Sequence, residues 1–158
     1  MKYEELLEGL ARGLHLAEPM TPDADGGVKF TYSGFEFRLH EERHCRMVMM
    51  WTRVGLLPAN GSLEFLRELL HNNFAGYETT GGAFSIDDDG SFCLHMLGSL
   101  DAIDIKQVCE QGFPNCVAML EDWRHLAATY DDAFSPDGSS CDLYDEPPRF
   151  PGMGFMVV

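Results

Sequence analysis

The stretch Val28-Lys29-Phe30-Thr31-Tyr32-Ser33-Gly34-Phe35-Glu36-Phe37-Arg38-Leu39-His40, followed by Met47-Val48-Met49-Met50-Trp51-Thr52-Arg53-Val54, decides the fold. Phe30 and Tyr32 alternate with Lys29 and Thr31, Ser33-Gly34 supplies a tight turn, and Phe35, Phe37 and Leu39 alternate with Glu36, Arg38 and His40. Alternation of period two on both sides of a two-residue turn predicts a β-hairpin. The charged run Glu41 to Arg46 then turns the chain into a third strand, Met47 to Val54, which is apolar at both odd and even positions. Side chains of a strand point alternately to its two faces, so both faces of this strand need a cover.

Upstream, Tyr3, Leu6, Leu7, Leu10 and Leu14 fall at spacings of three and four and predict a first helix over residues 2–16, closed off by Pro19, Pro22 and Gly26-Gly27. Downstream, Pro58 to Ser62 resets the chain. Leu63, Phe65, Leu66, Leu69, Leu70 and Phe74 then predict a second helix, with Ser62 as a candidate N-cap. Gly81-Gly82 opens Ala83-Phe84-Ser85-Ile86, Asp87-Asp88-Asp89-Gly90 turns, and Phe92, Leu94 and Met96 alternate on the return, a second hairpin. Ile105, Val108, Cys109, Val117, Leu120, Trp123 and Leu126 share the face of a last helical region, with Ser99 or Asp101 as candidate cap and Gly112 and Pro114 expected to kink or split it. The order is α-β-β-β-α-β-β-α. Short turns pair strands antiparallel, so the expected class is α+β, an antiparallel sheet of about five strands with three helices packed on it.

The 158 residues suffice for one core, and the fold is expected within residues 1–130. Residues 131–158 carry six acids against Arg149 and are rich in Pro, Gly and Ser, which reads as an acidic tail, flexible or loosely docked through Pro148. Its last residues, Met153-Gly154-Phe155-Met156-Val157-Val158, are apolar. No stretch of about 18 uncharged apolar residues is present to insert in a membrane, and the acidic start Met1-Lys2-Tyr3-Glu4-Glu5 lacks the pattern of a signal peptide, so a cytosolic location is expected. Twenty-six acids against eleven Lys and Arg leave a net charge of −15, which repels nucleic acid and anionic lipid.

Chemistry-bearing patterns are sparse. The run Asp87-Asp88-Asp89-Gly90 would place Met96 where a calcium loop needs its final carboxylate, so a hairpin turn is the better reading. Five scattered cysteines show no CxxC spacing, the one HxxxH, His40-Glu41-Glu42-Arg43-His44, falls on a predicted strand end and turn and not on a helix, and no GxSxG, P-loop or dinucleotide fingerprint occurs. No metal, cofactor or catalytic residue is expected. What stands out is an apolar excess. Nine methionines, with Met47, Met49 and Met50 beside Trp51, are adaptable enough to fit more than one partner surface.

Leu69-Leu70-His71-Asn72-Asn73-Phe74, then Gly81-Gly82-Ala83-Phe84-Ser85-Ile86-Asp87, Gly90 and Leu94, with Trp123 late in the last helix, resembles the class I chaperones of bacterial type III secretion, the family grouped around the Tir chaperone. The resemblance spans about residues 3–130. It implies a homodimer that binds an extended N-terminal segment of a secreted effector and keeps it soluble and export-competent without ATP. It implies effector contacts at Leu6, Leu10, Phe30, Phe35, Phe37, Met47 and Met49, and a subunit contact at Leu66, Leu70, Phe84 and Leu94. Each of these residues has an ordinary core reading beside the functional one. The rival readings are a module of the same fold that sequesters a regulatory protein and, from a different class, a small thiol- or metal-dependent enzyme. The apolar end of the chain is a candidate stand-in for effector in its own or a neighbouring groove.

Overall fold

In a computed structural model, which describes residues 1–75 and 82–135, the chain runs α1 (Tyr3–Gly13), β1 (Gly27–Tyr32), β2 (Phe35–Glu42), β3 (Met47–Leu56), α2 (Ser62–Ala75), β4 (Ala83–Ile86) and β5 (Ser91–Ser99). A final helical segment follows, made of α3 (Ile105–Gln107), one π-helical turn (Val108–Gly112) and α4 (Phe113–Ala133). The Phe74 side chain, Gly81 and the tail from residue 136 lie outside the described residues. The sheet is antiparallel throughout, in the order β1-β2-β3-β5-β4. This is the α+β architecture expected from the alternation.

Ser33 (φ 48°) and Gly34 (φ 80°) both adopt the left-handed conformation. That makes the β1–β2 link a type I′ turn, whose twist matches the strands it joins. The register pairs Val28 with Leu39, Phe30 with Phe37 and Tyr32 with Phe35, then Leu39 with Met50 and Met50 with Met96. One face therefore collects Val28, Phe35, Phe37, Leu39, Val48, Val54, Phe84, Phe92 and Leu94, all buried. The helices pack on it: Phe113 of α4 lies edge-on to Phe37, 5.2 Å between centroids, and Trp123 meets Phe84 at 4.8 Å. Phe65 of α2 packs edge-on to Phe92. Sheet-facing stripes at helical spacing on α1, α2 and α4 thus close one core.

The interruption at Gly112 to Pro114 is absorbed as a widened turn. Proline has no N–H and its ring collides with the carbonyl four residues back, here that of Glu110. The backbone opens into a π turn just before it, and the Phe113 N–H bonds the carbonyl of Val108, five residues back. The helical segment thus continues without a break. It lies close against α1: a Cβ on Gly9 or Gly13 would stand 2.5 Å from Ile105 Cδ1 or Cys109 Sγ respectively.

Two caps differ from the reading of the sequence. Asp104 caps the last helical segment, its carboxylate accepting from the Gln107 N–H at 3.2 Å, while Asp101 is held by Arg46 and Ser99 ends β5. The Phe65 N–H bonds the carbonyl of Gly61, so the N-cap of α2 is Gly61 and Ser62 is the first helical residue. At the other end α4 runs past residue 130 to Ala133. Asp131 accepts from the Asn60 backbone N–H at 2.8 Å, and Phe134 stacks on Tyr130.

Candidate functional site

The sheet has two edges, and the chain treats them differently. At β4, the Asn73 side chain accepts from the Phe84 N–H (2.7 Å) and donates to the Phe84 carbonyl (2.9 Å), taking up both outward groups of that residue. At β1, the I′ turn makes Tyr32 and Phe35 a hydrogen-bonded pair, so by alternation Phe30 and Val28 also face β2 while Gly27, Lys29 and Thr31 face outward. Gly27 is satisfied by Asp23: its carbonyl accepts from the Asp23 N–H (2.7 Å) and its N–H donates to Asp23 Oδ1 (2.8 Å). Among the described residues, no loop backbone pairs with Lys29 or Thr31. Beside them lies a groove of about 420 Å³, walled by the loop Leu16 to Met20 and by Lys29, Phe30, Thr31 and Glu36. An unpaired edge next to a groove of mixed polarity can accept an extended backbone.

A second space lies between the layers. A partly open cavity of about 120 Å³ is bounded by Leu6 and Leu10 of α1, Leu39, Val48, Met50 and Met96 of the sheet, and Val108, Gly112 and Phe113 around the π turn. Its lining is almost wholly apolar. At roughly 24 cal/mol per Å³, leaving such a volume unfilled costs up to about 3 kcal/mol. Cavities of this size accept a small apolar body of about the bulk of benzene.

The opposite sheet face carries no helix among the described residues. Met49 (38% exposed) and Leu97 (64% exposed) pair directly across β3 and β5 on it. Beside them Trp51 sits under the Arg38 guanidinium, 4.7 Å from the ring centroid, and edge-on to His95. On α2, Leu63 and Leu70 are 55% and 67% exposed, with Leu66 half-buried between them on the same helix.

The sequence-derived candidates divide accordingly. Leu6 and Leu10 are buried but line the cavity; Phe30 is half-buried and lines the β1 groove; Met47 and Met49 lie on the helix-free face. Phe35 and Phe37 are sealed in the core, Phe35 beneath the Arg124 guanidinium and Phe37 between Phe30 and Phe113. Phe84 and Leu94 are likewise buried, whereas Leu66 and Leu70 lie toward the outside of α2. The sequence reading did not single out Leu63, one heptad before Leu70, Leu97, or the backbone of Lys29 and Thr31.

Burial pushes the Cys93 and Cys116 thiols up to about 12, with Cys93 also donating to Asp87 at 3.4 Å, so both are held as the unreactive thiol. Ser85 Oγ contacts His95 Nε2 at 2.6 Å, and desolvation holds the His95 pKa below its ordinary value. Among the described residues no three His, Cys, Asp or Glu side chains converge to hold a metal ion, and no helix is long and apolar enough to cross a membrane. The acidic turn after β4 is occupied by Arg53, which pairs with Asp89 at 2.8 Å and Asp87 at 3.5 Å.

The profile of the Tir chaperone protein (CesT) family matches residues 5–124. The chain belongs to this family. It is a family of chaperones and not of enzymes. Among solved structures, the family member is similar to the Yersinia pestis type III secretion chaperone SycH in complex with a stable fragment of YscM2 (18% identity, TM-score 0.59, covering 82% of this chain and 99% of that one). It is similar to the ExsC–ExsE complex (15%, 0.60, 87% and 100%) and to the Pseudomonas aeruginosa ExoT–SpcS complex (19%, 0.53, 76% and 95%). No curated protein sequence matches the chain.

Proposed function

We propose that this CesT-family member is a cytosolic bacterial chaperone that binds the extended N-terminal segment of a type III secreted effector and keeps it soluble for export. The observation that carries this is the β1 edge at Lys29 and Thr31, unpaired among the described residues, beside the groove walled by Leu16 to Met20. A client strand adds there, and its side chains enter apolar spaces on the helix side of the sheet. Two outward residues offer four backbone hydrogen bonds, about 4 kcal/mol at about 1 kcal/mol each. Micromolar affinity needs about 8 kcal/mol, so buried client side chains supply at least half. Leu6 and Leu10 at the cavity and Phe30 at the groove are the proposed client contacts, while Phe35 and Phe37 support them from the core.

The chain acts as a homodimer in this reading, joined through the outer row Leu63, Leu66 and Leu70 of α2, with Phe84 and Leu94 supporting from beneath. The net charge of −15 keeps these apolar surfaces from associating without limit. Capture of the tagged chain from its source bacterium, followed by identification of what stays bound, tests the client; a secreted protein held through its N-terminal segment is expected, and a regulatory protein bound instead overturns the escort role. Sedimentation of Leu63→Glu/Leu70→Glu tests the dimer, with a monomer expected.

A further inference from the structure

The apolar cavity and the apolar end of the chain are each unexplained alone. Residues 150–158 hold Phe150, Met153, Phe155, Met156, Val157 and Val158 and no charged side chain, in a chain of net charge −15. They lie beyond the stretch matched by the family profile, so the common fold does not require them. Residues 136–149 before them carry Asp137, Asp142, Asp145 and Glu146 against Arg149, the composition of a solvated connector. We infer that the segment 150–158 seats an apolar side chain in the cavity between α1, the sheet and the π turn of the same molecule, and so occupies a client subsite until a client displaces it.

Chemistry selects this cavity over the β1 groove. The groove presents Glu18, Lys29 and Glu36, to which the segment offers no charged side chain, whereas the cavity presents Leu6, Leu10, Val48, Met50 and Met96. Reach permits it. Helix α4, of 21 residues, is about 31 Å long at 1.5 Å per residue and begins with Phe113 at the cavity wall. The fourteen residues from Pro136 to Arg149 span up to about 46 Å when extended, enough to return along the helix with slack. Tethering makes the docking intramolecular, so even a weak contact is well populated.

The inference rests on the proposed client reading only for its consequence, and the test needs no client. The chain is labelled at its methionine methyl groups and compared as residues 1–158, as residues 1–135, and as full-length Phe155→Asp/Met156→Asp. Ending at Ser135 keeps the Asp131–Asn60 tie and the Phe134–Tyr130 stack, which deletion from residue 131 would remove. The expected result is that the Met50 and Met96 methyl resonances move together in both altered chains, while Met49 on the other face stays. A synthetic peptide of residues 149–158, added to chain 1–135, moves them back and saturates. Met50 and Met96 resonances identical in all three chains overturn the seating and leave the client reading standing. Shifts that vanish when the full-length chain is diluted also overturn it, because the segment then docks on another copy. Displaced resonances with no effector captured from the bacterium uphold the seating while the client reading fails.

Discussion

The two edges of the sheet are made of the same backbone groups yet offer different things to a passing chain. At β4 one amide side chain, Asn73, engages both outward groups of Phe84, in a strand only four residues long. At β1 Asp23 engages Gly27 and stops there, and among the described residues Lys29 and Thr31 stay open beside a groove. An unguarded edge invites uncontrolled pairing, so a protein built to accept one strand gains from closing the other side. The comparison gives the proposed client strand a direction: it would pair at β1.

The sharpest way to break it is Asn73→Ala. The loss of two hydrogen bonds to a half-buried strand is expected to cost about 2–3 kcal/mol in denaturant unfolding. The bared β4 edge is expected to raise self-association seen by sedimentation; an unchanged midpoint and sedimentation profile would remove β4 from the comparison. Next is Thr31→Pro. Its N–H faces away from β2, so the ring spares the ladder but denies a client strand one bond and crowds its approach. Client-segment affinity by calorimetry is expected to fall about tenfold, or about 1.4 kcal/mol, with the unfolding midpoint nearly unmoved. Asp23→Ala frees Gly27 and lengthens the open edge by one residue. A loss of about 1 kcal/mol in stability is expected, accompanied by tighter client binding.

The smallest effect concerns the tie between β4 and β5 on the helix-free face, where Ser85 meets His95. Burial disfavours the charged imidazole, so the folded chain takes up a proton at lower pH than the unfolded one. Stability from this group is therefore full above about pH 6.5 and declines as the pH falls below that value. The protection factors of the β4 amides, taken relative to the intrinsic exchange rate at each pH, are expected to fall below pH 6.5 in the parent chain, and to lose that dependence in His95→Gln.

Much of this was legible in the sequence because alternation is a local signal. The strand β2, with Phe35, Phe37 and Leu39 against Glu36, Arg38 and His40, announces its two faces without reference to anything distant. What lies opposite a face is not local. Phe35 and Phe84 share their period with true surface residues, and only the arrival of Arg124 and Trp123 from the last helix settles that both are buried. Asn73 stands inside the most recognisable motif of the chain, but its work on Phe84 appears only once the second hairpin lies alongside α2. The caps were misread because Ser99, Asp101 and Asp104 are chemically equivalent candidates, and a salt bridge from Arg46, fifty-five positions away, claims Asp101.

The seam of Gly9 and Gly13 against Ile105 and Cys109 carries a consequence for how such a protein diverges. A Cβ at either glycine would force the Ile105 or Cys109 side chain to shift, so the roof of the cavity resists change. Where client side chains enter this cavity as proposed, adaptation to a new cargo falls to the floor, where Met50 and Met96 lie face to face and can exchange for leucine, isoleucine or phenylalanine one at a time. Lineages that switch cargo should record the switch at those two positions while the glycine pair stays as it is.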